Sequence, residues 1–417
     1  MEAINARWEA FEEQDYEGRI ALFTETLDDA ELMDDEMAFE MLNTLYSPTI
    51  EHDERDRFDA LVEALRTRLP EVYEESAHFH LQWLISNALA ARRFDALPSL
   101  VKELVTTAKH DIDAFNHVID ALAYHGQLHL IVEAMRLAWP WVQEPGNVVP
   151  WGISEFSTQA VYFVLLEYSL QHAMSDPEDP TLAEQLNYYG EYDPEGVRRF
   201  LVHLTNQAER SWTMDDFTFQ RRQPPRRARF DDFDDDDEDE SQPVPVDPAR
   251  QNLFDLSVEF VGYLYREEDV PLTKGELARQ QLIEYILQRF EGKLEQQESR
   301  LNSARRSKQR RQKSKKRRPD HVLCPDRRTF DRFLAERMSF MNPQWYKTSV
   351  TFELLPAWLR FLESRGLIDA EQHAKTHQEL EGLVPSIRQL WDRHLEDPAL
   401  QQGLQAFWGR AESGTPG

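Results

Sequence analysis

A pattern of small and large apolar residues that returns after 34 positions constrains this chain more than any other feature. Ile85–Leu97 reads ISNALAARRFDAL and Ile119–Ile131 reads IDALAYHGQLHLI, so Ile85 answers to Ile119, Phe94 to Leu128, Leu97 to Ile131 and Val101 to Met135. Within each copy the apolar residues recur three and four apart, which is the spacing of one helical face. Ala91-Arg92-Arg93 and His125-Gly126-Gln127 fall where two short helices must bend. A period of this size marks stacked helical hairpins, because a single hairpin cannot bury its own apolar face. RFDAL at Arg57–Leu61 and again at Arg93–Leu97, 36 positions later, extends the pattern upstream. Phe79 to Val142 is therefore expected to be the most regular part of a short stack.

Little else in the sequence favours a sheet. Glycine is scarce, at 15 of 417 residues, and β-branched runs with period-two alternation are almost absent. An all-α fold is predicted. Hydrophobic residues make up 41% of the chain, enough for the cores of two or three domains. The first domain is expected over 1–210, as an α-solenoid-like array of hairpins. A second helical domain is expected over 321–417, with a further helical segment at 251–303.

The net charge of −29 opposes casual binding to nucleic acid or to anionic membrane. It is distributed unevenly. Asp231–Glu240 carries nine acids in ten residues, whereas Arg305–Arg318 carries ten bases and no acid, leaving −39 for the remainder. Like-charge repulsion and proline content predict a disordered acidic linker over 211–250, and 304–320 reads as a basic arm. The single Cys324 excludes an intramolecular disulfide and fits a reducing compartment. The acidic start MEAINARWEAFEEQD lacks the features of a signal peptide, and no apolar run approaches 18 residues. A cytoplasmic protein is expected, or a nuclear one in a eukaryotic source, where KSKKRRP would serve as an import signal.

Element by element, Pro48 is expected to stop a helix begun at Glu36. Trp139-Pro140-Trp141 and Val149-Pro150-Trp151 read as an aromatic loop plugging the end of the stack. Helices are expected over Phe156–His172 and from Pro194 to Ala208. Thr273 and Glu276 have the spacing of a capping box, opening a helix that continues past Leu301 into the basic tract and ends at Pro319. Later helices are read from Thr329 to Met338, through Leu354 and Trp358 to a stop at Gly366, from an Asp369 cap, from Pro385 and from Pro398.

Asp113–Met135, with the text DAFNHVIDALAYHGQLHLIVEAM, resembles the tetratricopeptide and pentatricopeptide families of helical repeats. It has an apolar first helix (Phe115, Val118, Ile119, Leu122), Gly126 at the bend and a second helix ending near Met135. The resemblance covers about residues 57–142 and implies a concave surface offered to a partner. The full tetratricopeptide pattern of Trp, Gly, Tyr, Ala, Phe and Pro is not present. In pentatricopeptide proteins an Asn of the first helix helps read an RNA base; Asn116 sits near that place, with His80 36 positions before it.

The clearest candidate contact site is the basic tract: Arg305, Arg306, Lys308, Arg310, Arg311, Lys313, Lys315, Lys316, Arg317 and Arg318. Ten cations would neutralise several phosphates of RNA or DNA without reading sequence, since no aromatic residue among them can stack on a base. A solvated tract balanced by Asp231–Glu240, or one that meets an acidic protein, fits the same residues. His373 and His377 stand four apart, a zinc-like spacing, but Ala374 replaces the glutamate of H-E-x-x-H; His321 and Cys324 lack further ligands. No phosphate loop, dinucleotide fingerprint or nucleophile elbow occurs. No catalytic residue, cofactor or metal is expected. The expected function is a non-enzymatic scaffold or adaptor that binds another protein, and the alternative is a factor that binds nucleic acid through 305–318.

Overall fold

A computed structural model describes all residues except 1, 30, 108–110, 173–175, 177, 209, 220–246, 295–320, 339–342, 394–395 and 410–417. Every regular element among the described residues is helical, so the predicted all-α class holds there. In chain order these are α1 (Glu2–Glu12), α2 (Tyr16–Thr26), α3 (Asp35–Glu51), α4 (Arg55–Arg68), α5 (Pro70–Glu75), α6 (Ala77–Ala90), α7 (Leu97–Thr107), α8 (Ile112–Tyr124), α9 (Leu128–Val142), α10 (Pro150–Gln171) and α11 (Pro180–Asn187). There follow α12 (Pro194–Leu204), α13 (Pro248–Glu267), α14 (Leu272–Glu291), α15 (Arg327–Arg337), α16 (Trp345–Glu353), α17 (Leu355–Ser364), α18 (Ala370–Glu381), α19 (Val384–Arg393) and α20 (Pro398–Trp408).

Aspartate starts many of them. Asp15, Asp34, Asp111, Asp179, Asp193, Asp247, Asp326 and Asp369 each accept a hydrogen bond from a backbone N–H of the first turn. A carboxylate there satisfies an orphan donor and meets the positive end of the helix dipole. Part of the chain's negative charge thus serves helix initiation.

Two compact units emerge, and they do not follow the expected boundary near residue 210. The first comprises Met1–Ala173, Glu178–Tyr192 and Ser386–Ala406; the second comprises Met174–Pro177, Asp193–Pro385 and Phe407–Gly417. The expected linker over 211–250 is also shorter. Trp212, Phe217 and Phe219 are buried, and Met214–Phe217 forms a 3-10 turn closed by reciprocal Thr213 and Asp216 bonds. Only 220–246, which contains the acidic run, lies outside the described residues.

In the first unit α6 packs on α7 and α8, α7 on α9, and α9 on α10. The residues paired by the 34-position recurrence occupy equivalent burial: Ile85 with Ile119, Leu97 with Ile131 and Val101 with Met135 are all inside. Phe94 is the exception, 39% exposed where Leu128 is buried. Residues 94–96 form a turn before α7, with Ala96 and Leu97 bonded to Arg93 and Phe94. The first RFDAL lies inside α4, so the two copies have different conformations.

The shared feature is the bend. At Arg92 (φ 55°) and Gly126 (φ 76°), 34 positions apart, the chain enters the left-handed region. Arg92 N–H donates to Leu89 O and Arg93 N–H to Ala88 O; Gly126 N–H donates to Ala123 O and Gln127 N–H to Leu122 O. Each is a Schellman closure, which satisfies the last helical carbonyls and turns the chain back. Asp53 (φ 58°) closes α3 in the same way, with Asp53 and Glu54 bonded to Ile50 and Thr49. From Asp53 to Arg92 is 39 positions, so the RFDAL echo at 36 is out of step with the bends.

The segment Ser386–Ala406 meets two of these bends. His125 Nε2 lies 2.6 Å from Asp397 Oδ2, both side chains buried, and the Tyr124 hydroxyl donates to Ala399 O. Arg92 donates a long 3.5 Å bond to Gln402.

In the second unit α13 packs against α12, α14 and α17, and α14 against α16. Gly262 of α13 permits the close approach of α12, since a Cβ there would fall 2.1 Å from Leu204 O. The expected Thr273/Glu276 capping box is not formed. The helix begins two residues earlier, with Pro271 rather than Thr273 at the cap, and the Glu276 carboxylate is engaged by two 2.6 Å bonds from Arg279, all buried. α14 closes at Gly292, φ 72°, and Lys293 and Leu294 are helical again; the expected run past Leu301 to Pro319 lies outside the described residues. Two prolines expected to interrupt helices do not. Pro48 lies within α3 and Pro140 within α9, both near helix ends where only one backbone bond is lost.

The two bends allow a paired test. Arg92→Gly removes a left-handed side chain and is expected to stabilise the protein by about 0.5 kcal/mol, whereas Gly126→Ala costs about 1 kcal/mol. Denaturant midpoints check both signs, and the same sign for both would refute a shared left-handed closure.

Candidate functional site

Large apolar side chains are exposed unevenly. Among the described residues seven stand out, and Leu137, Val149, Trp151, Leu170 and Tyr188 all belong to α9, α10, α11 or their flanks. Trp151 is the extreme case at 71% exposed. Trp151 and Leu170 stand near opposite ends of α10, about 28 Å apart along its axis.

The surface is built by a proline. Pro140 has no N–H to give to the carbonyl four residues earlier, which leaves Arg136 O unpaired within the helix. The Tyr188 hydroxyl donates to that oxygen at 3.3 Å. Trp139 stacks on Phe156, with centroids 5.8 Å apart, and meets Tyr189 at 5.6 Å. Ser157 Oγ donates to Tyr189 O at 2.9 Å and ties the turn after α11 to α10. Burial pushes the Tyr189 phenol upward. Trp151 stands five residues before Phe156 on the same helix, about 7.5 Å along its axis.

The aromatic plug expected from Trp139, Trp141 and Trp151 is therefore divided. Trp139 and Trp141 are buried as parts of α9, and Trp151 faces solvent.

The stretch that follows the exposed Arg136 is poor in cations. No Lys or Arg occurs from Leu137 to Val197, although at the chain's overall 47 in 417 a stretch of that length would carry about seven. Glu144, Glu155, Glu178, Glu184 and Glu191 are exposed within the first unit's share of it.

The basic tract Arg305–Arg318 lies outside the described residues. Asn116 is half-buried, while His80 is fully buried, stacked on Tyr73 at 5.2 Å and held neutral as burial lowers it to about 4. His373 pairs with Glu363, and His377 packs on Trp408. His321 Nε2 meets Leu367 O, and burial raises the Cys324 thiol to about 11. Among the described residues no group of three or more His, Cys, Asp or Glu is placed to hold a metal ion. No described helix is long and apolar enough to cross a membrane.

The second unit holds a buried ionic cluster that sequence patterning could not reveal. Glu259 Oε1 accepts from the Trp212 indole at 3.1 Å and lies 2.9 Å from His203 Nδ1; its Oε2 lies 3.2 Å from Arg365. Asp255, one turn earlier on α13, lies 3.6 Å from His203 Nε2 and accepts from Gln251 at 2.9 Å. Burial raises the Asp255 carboxyl. Arg365 also donates to Asn206, the left-handed residue after α12. These bonds hold Trp212, α12, α13 and the bend after α17 together, which is a structural task.

Scans against protein-family models, curated proteins and solved structures returned no match.

Glu259→Ala strips partners from His203, Trp212 and Arg365 at once. It is expected to cost about 3 kcal/mol, read from urea unfolding at unchanged slope. A cost below about 0.5 kcal/mol would contradict a structural role for the cluster.

Proposed function

We propose that this chain is a non-enzymatic scaffold or adaptor that binds another protein, with its N-terminal helices arranged as a short solenoid-like array akin to tetratricopeptide and pentatricopeptide hairpins. Two features support the array: the identical closures at Arg92 and Gly126, and the packing of first helix on first helix (α6 on α8) and second on second (α7 on α9). Arrays of this kind bury a continuous core while presenting long helical faces to partners. The single observation that carries the functional reading is the concentration of exposed apolar side chains on α9 to α11.

The second reading, electrostatic binding of RNA or DNA by 305–318, is favoured by its ten bases without an acid. The two separate in one experiment. The full chain, and a variant with all ten bases replaced by Gln, are used to capture partners from the native source with and without nuclease. A scaffold is expected to retain a protein partner in fixed ratio from both chains after nuclease treatment. Material lost with nuclease and with the Gln variant supports the nucleic-acid reading instead. A turnover activity in the purified chain would overturn both.

A further inference from the structure

We infer that the segment 210–219, which carries the 3-10 turn, is a strap latched by one proton shared between His203 and Asp255, closed while that proton is held and released as pH rises. The inference is independent of the scaffold reading, since every residue in it belongs to the second unit. Side chains fasten the strap. Trp212 Nε1 donates to Glu259 Oε1 at 3.1 Å, and Asn252 Nδ2 donates to Asp216 O at 2.9 Å. Trp212, Phe217 and Phe219 are buried, with Phe219 against Phe290 of α14 at 4.9 Å between ring centroids. A segment this short, held by a few anchors, opens locally at lower cost than the helices that anchor it.

His203 stands on α12 between two carboxylates of α13. Its Nδ1 lies 2.9 Å from Glu259 Oε1 and its Nε2 lies 3.6 Å from Asp255 Oδ2, with all three side chains less than a tenth exposed. Glu259 accepts the Nδ1 proton. An imidazole lone pair and a carboxylate then face each other across the remaining gap, at low dielectric, unless a proton lies on one of them. Burial raises the Asp255 carboxyl, which favours keeping that proton, while Gln251, His203, Arg199 and Arg210 act against it. Further cations face the cluster. Arg365, at the bend after α17, lies 3.2 Å from Glu259; Arg266 of α13 donates to Leu204 O; Arg210 lies 4.0 Å over the Trp212 ring and pairs with Asp216 at 3.1 Å.

With the proton in place, His203 and Arg365 balance Asp255 and Glu259. Its loss leaves buried negative charge uncompensated, which is costly in a protein interior. Water admitted at Trp212 relieves that charge, and the strap opens. The sign is the same for both groups: a raised carboxyl and a paired imidazolium each stabilise the closed strap while the proton is bound, and lose that effect as pH rises. The range of interest lies above the ordinary carboxylate values and spans about pH 5 to 8, where histidines change charge.

Hydrogen exchange of peptides covering 210–219 tests this on the full chain at about pH 5.5 and about pH 8.5, corrected for the intrinsic pH dependence of exchange, with α14 as internal reference. The wild-type strap is expected to lose about tenfold in protection at the higher pH while α14 keeps its own. Asp255→Asn sets an amide donor opposite Nε2 and removes the need for the proton, so its strap is expected to stay closed at both values. His203→Gln cannot titrate, and its strap protection should agree at the two values within about twofold. Strap protection independent of pH in wild type would overturn the inference, as would equal loss from the strap and from α14. So would opening of the strap in Asp255→Asn at high pH, because a merely structural cluster is weakened by that change and a proton latch is strengthened. Should His203→Gln fail to fold, as loss of protection in α14 would report, the Asp255→Asn comparison still decides.

Discussion

Reversing a helix within a few residues leaves its last carbonyls without donors, and the left-handed closure supplies them. A residue with positive φ lets its own N–H and that of the next residue reach back over the final turn. In the first unit Asp53, Arg92 and Gly126 do this after α3, α6 and α8. In the second, Asn206 and Gly366 do it after α12 and α17. The bends set which apolar faces meet. They also place side chains: Arg365, beside one bend, donates to Asn206 at another, and the Glu259 cluster lies on that link.

Charge does two distinct jobs. Aspartates at helix starts satisfy backbone donors locally and are consumed by the fold. Glu144, Glu155, Glu184 and Glu191 instead stay exposed, in a stretch, 137–197, that holds no Lys or Arg and follows the exposed Arg136. A single proline ties the end of α11 to α9. It frees the Arg136 carbonyl, and the carbonyl fixes Tyr188.

Helical class and the equivalence of Ile85, Leu97 and Val101 with Ile119, Ile131 and Met135 were legible because periodic apolar burial is a local property. Arg92 was placed at a bend for the same reason. What misled was short-range identity and short-range grammar. RFDAL repeats as text but spans helix interior once and a turn once, and Thr273 with Glu276 has capping spacing although a buried arginine takes the glutamate. Proline near a helix end was read as a stop when a distant tyrosine compensates it. The return of Ser386–Ala406 to the first unit, and the meeting of His203, Glu259 and Arg365, depend on contacts far apart in sequence. Periodicity carries no record of them.

Hydrogen–deuterium exchange on the full chain, free and with its captured partner, tests most directly whether the end of the first unit is the working surface. Protection gained by α9, by the start of α10 and by the turn at Tyr188 is the expected result. Protection confined to peptides covering 305–318, with α9 to α11 unchanged, would contradict it.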